Sequence, residues 1–165
     1  MANTHNVFIG MSCAFMNVDA YNLVGIADAD IDNGLFLTLG AMSPANDGAY
    51  EFTVTAGANA DLIAGTAPQG YDIAAQVYDD PRYFTNKAGK PIGVKRLVKG
   101  DVIQVTIGSF TADPNFSTNK YAKVGEGGKL TAQAAATNAD YQILGTEPID
   151  IGGEAVTGYI LMKLA

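Results

Sequence analysis

The chain is poor in the residues from which small catalytic and metal sites are built. Among 165 residues there is one cysteine, Cys13, one histidine, His5, and no tryptophan. One cysteine rules out an intrachain disulfide, and Cys13, inside an apolar run, is expected to pack as a small buried hydrophobe. One histidine, in an N-terminus expected to be mobile, speaks against a histidine-based catalytic dyad or a multi-histidine metal site. Charge is scarce as well: 16% of the residues are charged, where an average domain has about 25%. Residues 1–81 contain no Lys or Arg. No apolar run reaches the roughly 18 residues needed to cross a membrane as a helix, and the N-terminus lacks the basic stretch and sustained apolar core of a secretory signal. The expectation is a soluble protein made in a reducing cytoplasm, with no membrane partner.

What is present points to strands and turns. Hydrophobic residues make up 48% of the chain, and the 19 glycines exceed the usual share of about 7% without a collagen period. The length suits one domain with a real core, divided as an N-terminal arm or first strand over residues 1–20 and a single β domain over 21–165. A surface this sparing in charge suggests that part of it is covered by assembly.

The charge is unevenly placed. Residues 1–81 hold ten Asp and Glu; residues 82–165 hold ten Lys and Arg against seven Asp and Glu, for a net charge of −7. Six cations, Arg82, Lys87, Lys90, Lys95, Arg96 and Lys99, fall within eighteen residues. Either the fold interleaves the two halves and neutralises them internally, or an acidic surface on one copy meets a basic surface on its neighbour. With a pI near 4.4 and no Arg-rich run or aromatic stripe beside the cations, nucleic acid is not an expected partner.

Residues 23–40, LVGIADADIDNGLFLTLG, read as strand, turn, strand. Asp28, Asp30 and Asp32 recur at every second position and would leave one face of an extended chain. Asn33-Gly34 is a turn signal because both residues tolerate positive φ. Residues 23–27 and 35–39 are therefore expected to form an opening hairpin, after a first strand or arm over 7–15. Residues 50–55 (YEFTVT) alternate as a half-buried strand does, following a loop at 43–48. Residues 59–64 suggest a helical turn, and 73–78 a strand ended by Asp79-Asp80-Pro81. Residues 83–91 suggest an exposed loop carrying part of the basic cluster. Residues 94–108 form an expected second hairpin turning at Lys99-Gly100-Asp101. Short strands follow at 121–124, 129–136, 141–144 and 149–151, the last two separated by Pro148, and an apolar closing strand runs over 157–164. About ten short, mostly antiparallel strands with little helical period predict an all-β fold, a compact barrel or sandwich.

The acidic turn is also the one candidate metal loop. Aligned as an EF-hand, it has Asn33 where glycine is required and Leu39 where a bidentate Glu belongs, so a solvated acidic edge that discourages strand pairing is the better reading. Ser12 and Ser109 have no histidine in sequence reach to activate them, and Lys95-Arg96 and Lys99 lack the glycines of a phosphate loop. No catalytic constellation and no cofactor are expected.

Four segments in order, residues 26–40 (IADADIDNGLFLTLG), 96–108 (RLVKGDVIQVTIG), 125–145 (GEGGKLTAQAAATNADYQILG) and 158–165 (GYILMKLA), resemble the small head decoration, or cement, proteins of tailed bacteriophages and their auxiliary virion proteins. The resemblance implies a structural virion protein, not an enzyme. Such a protein is made in the host cytoplasm and added to the outside of an assembled head, where it clamps neighbouring major capsid subunits, often as a homotrimer. It implies contacts to capsid or neighbouring copies through residues 7–15 and 28–39. The uneven charge separately makes Asp28, Asp30, Asp32 and the six cations, Arg82, Lys87, Lys90, Lys95, Arg96 and Lys99, candidate interaction residues. Another phage subunit, of tail tube or head fibre, is the nearest alternative. A carbohydrate-binding β-sandwich using the eight tyrosines and seven phenylalanines is a further one, and a small hydrolase is more distant still.

Overall fold

The computed structural model describes residues 5–42, 51–68 and 80–165. They form an all-β protein with two sheets. Five strands close a barrel in the order β2 (Asn22–Ile26), β4 (Glu51–Ala56), β3 (Phe36–Met42), β5 (Leu62–Ala64) and β6 (Ile92–Arg96). The other six make an antiparallel sheet in the order β1 (Phe8–Ser12), β7 (Val102–Thr106), β11 (Glu154–Lys163), β10 (Tyr141–Ile151), β8 (Tyr121–Val124) and β9 (Leu130–Gln133). The expected loop at 43–48, Tyr50 and the expected strand at 73–78 with Asp79 lie outside the described residues.

Successive side chains of a strand point to opposite faces, and here two barrel strands bury both. Leu37 and Leu62 belong to the barrel interior with Ile31, Val54, Ile92 and Val94. Their neighbours Phe36 and Ile63 belong to a second core, shared with the inner face of the six-stranded sheet: Ile103, Val105, Ile143 and Leu161. Phe36 meets Tyr141 of β10 at 5.2 Å between ring centroids, tilted by 50°. Burying a side chain of this size contributes about 1.5–3 kcal/mol. The chain therefore spends its apolar residues on two cores joined through one wall of the barrel.

Both expected hairpins are replaced by longer-range pairings. β2 and β3 exist near the predicted positions, but β4 lies between them, parallel to β2 and antiparallel to β3. The cause is the intervening turn. Ala27 and Ile31 are buried in the barrel core, and Ile31 pairs with Asn86 through two backbone hydrogen bonds of 2.9 Å. The turn therefore crosses the barrel mouth instead of folding back. β6 and β7 lie in different sheets. Between them Leu97 is buried, Gly100 takes φ +91°, and the Asp101 carboxylate accepts from Val98 N–H at 2.9 Å and Ala14 N–H at 2.8 Å. The Lys99-Gly100-Asp101 turn is thus the hinge from barrel to sheet.

Three smaller expectations also change. β10 runs unbroken through Pro148, which stands opposite Thr157. β8 covers only Tyr141 and Gln142, so the missing N–H lies where that strand has no described second neighbour. Residues 59–64 hold a turn at Asn59, φ +56°, followed by β5. The loop at 83–91 is anchored inward by Phe84 and Asn86, both essentially inaccessible. Residues 8–12, expected as an arm or first strand, are an edge strand paired with β7.

Two adjacent glycines between β8 and β9 test the joint. Gly127 and Gly128 both have φ +67°. A Cβ on Gly127 would meet open space, whereas one on Gly128 would fall on the carbonyl of Phe36. Gly127→Ala is expected to cost about 1–2 kcal/mol, the left-handed penalty alone. Gly128→Ala should cost clearly more, because β3 must shift. Urea denaturation of the two variants measures the difference.

Candidate functional site

The three acidic side chains do not converge. Asp30 accepts from Lys87 Nζ at 2.8 Å and from Ala88 N–H at 3.0 Å. Asp32 accepts from His5 Nδ1 at 2.8 Å. Asp28 is exposed, and with Asp30 it rims a cleft of about 390 Å³ over the barrel residues Ala27, Ile31, Leu35 and Val54. The one-face pattern fails because residues 27–30 bend and only Ile31 is bridged. Among the described residues no group of three or more His, Cys, Asp or Glu could hold a metal ion. His5, expected to be mobile, is instead pinned by Asp32.

The cations that cluster in sequence disperse in space. Arg82 makes paired hydrogen bonds to the Asp80 carboxylate, at 3.0 and 2.9 Å from Nε, and lies 3.8 Å from Glu154. Lys87 goes to Asp30. Lys95 Nζ donates to Asn22 Oδ1 at 2.8 Å and sits 5.7 Å from the Phe15 ring centroid. Arg96 Nε is 3.5 Å from Asp61. Lys90 and Lys99 are exposed at turns. Most of these partners come from the acidic first half, so the fold interleaves the two halves, and the cluster is no single basic patch.

Electrostatic shifts follow these contacts. The hydrogen bond from Lys87, helped by the Ala88 N–H, holds the Asp30 carboxyl below its ordinary value. The bond from Arg82 does the same for Asp80. Burial lowers the Lys95 ammonium and, opposed by Asp140 and Asp61, that of Lys163, whose Nζ lies 4.9 Å from the Tyr141 ring centroid. Cys13 is buried, and its thiol donates to Val102 O at 3.1 Å. Burial, then the Asp101 charge, pushes its pKa to about 11, which leaves a neutral thiol and a poor nucleophile at neutral pH.

The polar residues that matter most were read from sequence only as turn formers or not at all. Asn33 and Asn86 are buried. Asn33 Oδ1 accepts from Thr66 N–H and Asn86 Nδ2, each at 3.1 Å, and Asn33 Nδ2 donates to Thr66 O at 2.8 Å. Asn86 Nδ2 also donates to Ile31 O at 2.8 Å. The network joins the acidic turn, the exit of β5 and the loop before β6. Its one sequence signal is Asn33-Gly34, where Gly34 does take φ +81°. The arrangement positions backbone and offers no nucleophile with its base.

Two outcomes are expected. Because the folded Asp30 pKa is lowered, the Asp30–Lys87 tie stabilises above the ordinary carboxylate value of about 3.9 and is lost as pH falls through the lowered one. Asp30→Asn should therefore lower the melting temperature slightly at neutral pH, with the difference vanishing in strong acid. Cys13 in the native protein should react with a thiol-specific disulfide reagent at mildly alkaline pH far more slowly than in denaturant, as followed by absorbance. No family model, no curated protein and no solved structure matches this chain.

Proposed function

We propose that this chain is a structural virion protein, a decoration protein that binds the outer surface of an assembled phage head and stabilises its lattice. The major capsid protein is its partner, and a trimer is its working form on the virion. The observation that carries the reading is the exposed apolar surface of the N-terminal segment. Ile9, Met11, Met16 and Val18 are 37%, 43%, 60% and 43% exposed, within ten residues that also carry the edge strand β1. Large apolar side chains gathered on one exposed segment suit a contact surface, and methionine adapts to an irregular partner. Modest contacts of this kind become strong when symmetry repeats them over a lattice. The charges of the 82–99 cluster are mostly paired within the chain and so support a packing role more than a separate site. The carbohydrate-binding alternative is weakened because Phe36, Phe84, Phe110, Tyr141 and Tyr159 are buried and cannot stack on a sugar.

The test is co-sedimentation with assembled capsids that lack the protein. The chain is expected to pellet with capsids and to raise the temperature at which they open. Met16→Asp with Val18→Asp should abolish pelleting while leaving the protein's own melting temperature within a few degrees. A chain that stays in the supernatant overturns the proposal.

A further inference from the structure

A cavity of about 380 Å³ lies where the N-terminal residues His5 and Asn6 meet the end of β7 and the middle of β11, and Thr106, Ile107, Asp113 and Tyr159 also line it. Its size suits a small ligand. Most of the frame is fixed by contacts outside the cavity. His5 Nδ1 is held by the Asp32 carboxylate at 2.8 Å, Thr106 Oγ1 accepts from Val7 N–H at 3.2 Å, and the Tyr159 ring packs on Phe110 at 5.1 Å between centroids. Gly108 acts through its missing side chain, because a Cβ there would fall on the Asn6 amide oxygen.

Two of the lining side chains are more than nine-tenths buried and yet unpartnered. Asn6 is 7% exposed and Tyr159 6%, and among the described residues neither the Asn6 amide nor the Tyr159 hydroxyl makes a hydrogen bond. Buried polar groups are normally paired, and these two reach a partner only through the cavity. The free charge beside them has one sign. Asp113 is exposed and in no ion pair among the described residues. Burial, then the Asp113 charge, raises the Tyr159 hydroxyl above its ordinary value, which keeps it protonated and sets the carboxylate near it. No lysine or arginine is among the lining residues, and the one basic ring, His5, already has Asp32 as its counter-charge. Ile107, exposed, and Val156, half-buried, add an apolar strip.

We propose that this cavity binds a primary ammonium group on an aliphatic stem, the chemistry shared by a lysine side chain and a free alkylamine. The Asp113 carboxylate takes the charge. An ammonium has three donors and no acceptor, so its other N–H groups are met by the Asn6 amide oxygen and the Tyr159 hydroxyl oxygen. The stem lies along Ile107 and Val156, as lysine methylenes lie along apolar surface. An anion would meet the like charge of Asp113, and a neutral alcohol would leave that carboxylate without a counter-charge. The net charge of −7 draws cations toward the chain as a whole.

The experiment is an NMR titration of the isotope-labelled full chain; capsids enter none of its readouts, so it stands apart from the decoration reading. The probes are pentylamine hydrochloride, Nα-acetyl-lysine methylamide, 1-pentanol and pentanoate. Both ammonium compounds are expected to shift the amide signals of Asn6, Gly108 and Thr157 with a dissociation constant on the order of millimolar, while 1-pentanol and pentanoate leave them in place. Asp113→Asn keeps the side-chain oxygen that accepts from Asn115 N–H at 2.9 Å and removes the charge. It should weaken ammonium binding about tenfold, the loss of one charge-assisted hydrogen bond, with a melting temperature within a few degrees of the parent. Tighter binding of the lysine compound assigns the group to a side chain of a partner, and tighter binding of pentylamine assigns it to a free amine; either supports the proposal. Signals that neither ammonium compound shifts, equal shifts with 1-pentanol, or an affinity that Asp113→Asn leaves unchanged overturns it.

Discussion

The rest of the structure depends on the wall between the two cores. In β3 and β5, consecutive residues, Phe36 and Leu37, Leu62 and Ile63, are fully buried on opposite faces. A one-residue slip in either strand would exchange the two sets, so one register satisfies both the barrel and the sheet. The barrel therefore acts as the second layer that the six-stranded sheet needs on its inner side. Phe36 against Tyr141, and Gly128 closing on the Phe36 carbonyl, bring the β8–β9 turn onto the same wall.

Buried polar groups hold the connections around that wall. Asp101 gathers three parts of the chain: the segment after β1 through Ala14 N–H, the barrel-to-sheet hinge through Val98 N–H, and the closing strand through Lys163 N–H to its own carbonyl at 2.9 Å. Asp140 plays a similar part beside β8, accepting from Val124 N–H at 2.8 Å through its carboxylate and from Leu164 N–H at 2.9 Å through its carbonyl. Hydrogen bonds from charged acceptors contribute about 1.5–3 kcal/mol each, and an unmade bond to a buried group costs comparably. Such groups specify one topology among those that the apolar pattern would permit. The chain's few charges and amides are used this way, which leaves its outward-facing apolar surfaces as the places where function is to be sought.

The exposed apolar residues of the N-terminal segment support attachment to a lattice. Three of the chain's ten cations are tied to acids of the same chain, Arg82 with Asp80, Lys87 with Asp30 and Arg96 near Asp61, so that attachment relies on apolar contact more than on these charges.

The amino-acid sequence by itself determined the strand class and the positions of most strands, because alternation and turn residues act over a few neighbours. Val102 to Thr106 and Tyr121 to Val124 were legible for that reason, as was the burial of Cys13. It also made a metal loop at Asp28, Asp30 and Asp32 improbable, through Asn33 and Leu39. Only the tertiary structure decided which strands pair. The acidic turn reads as a hairpin until Ile31 finds Asn86, 55 residues away, and the Lys99-Gly100-Asp101 turn reads as another until Asp101 binds Ala14, 87 residues back. Local propensity shapes a turn, but the burial of Ala27, Ile31 and Leu97 and the hydrogen bonds made by Asn33, Asn86 and Asp101 depend on partners distant in sequence. Those long-range requirements sent each turn across to a different strand.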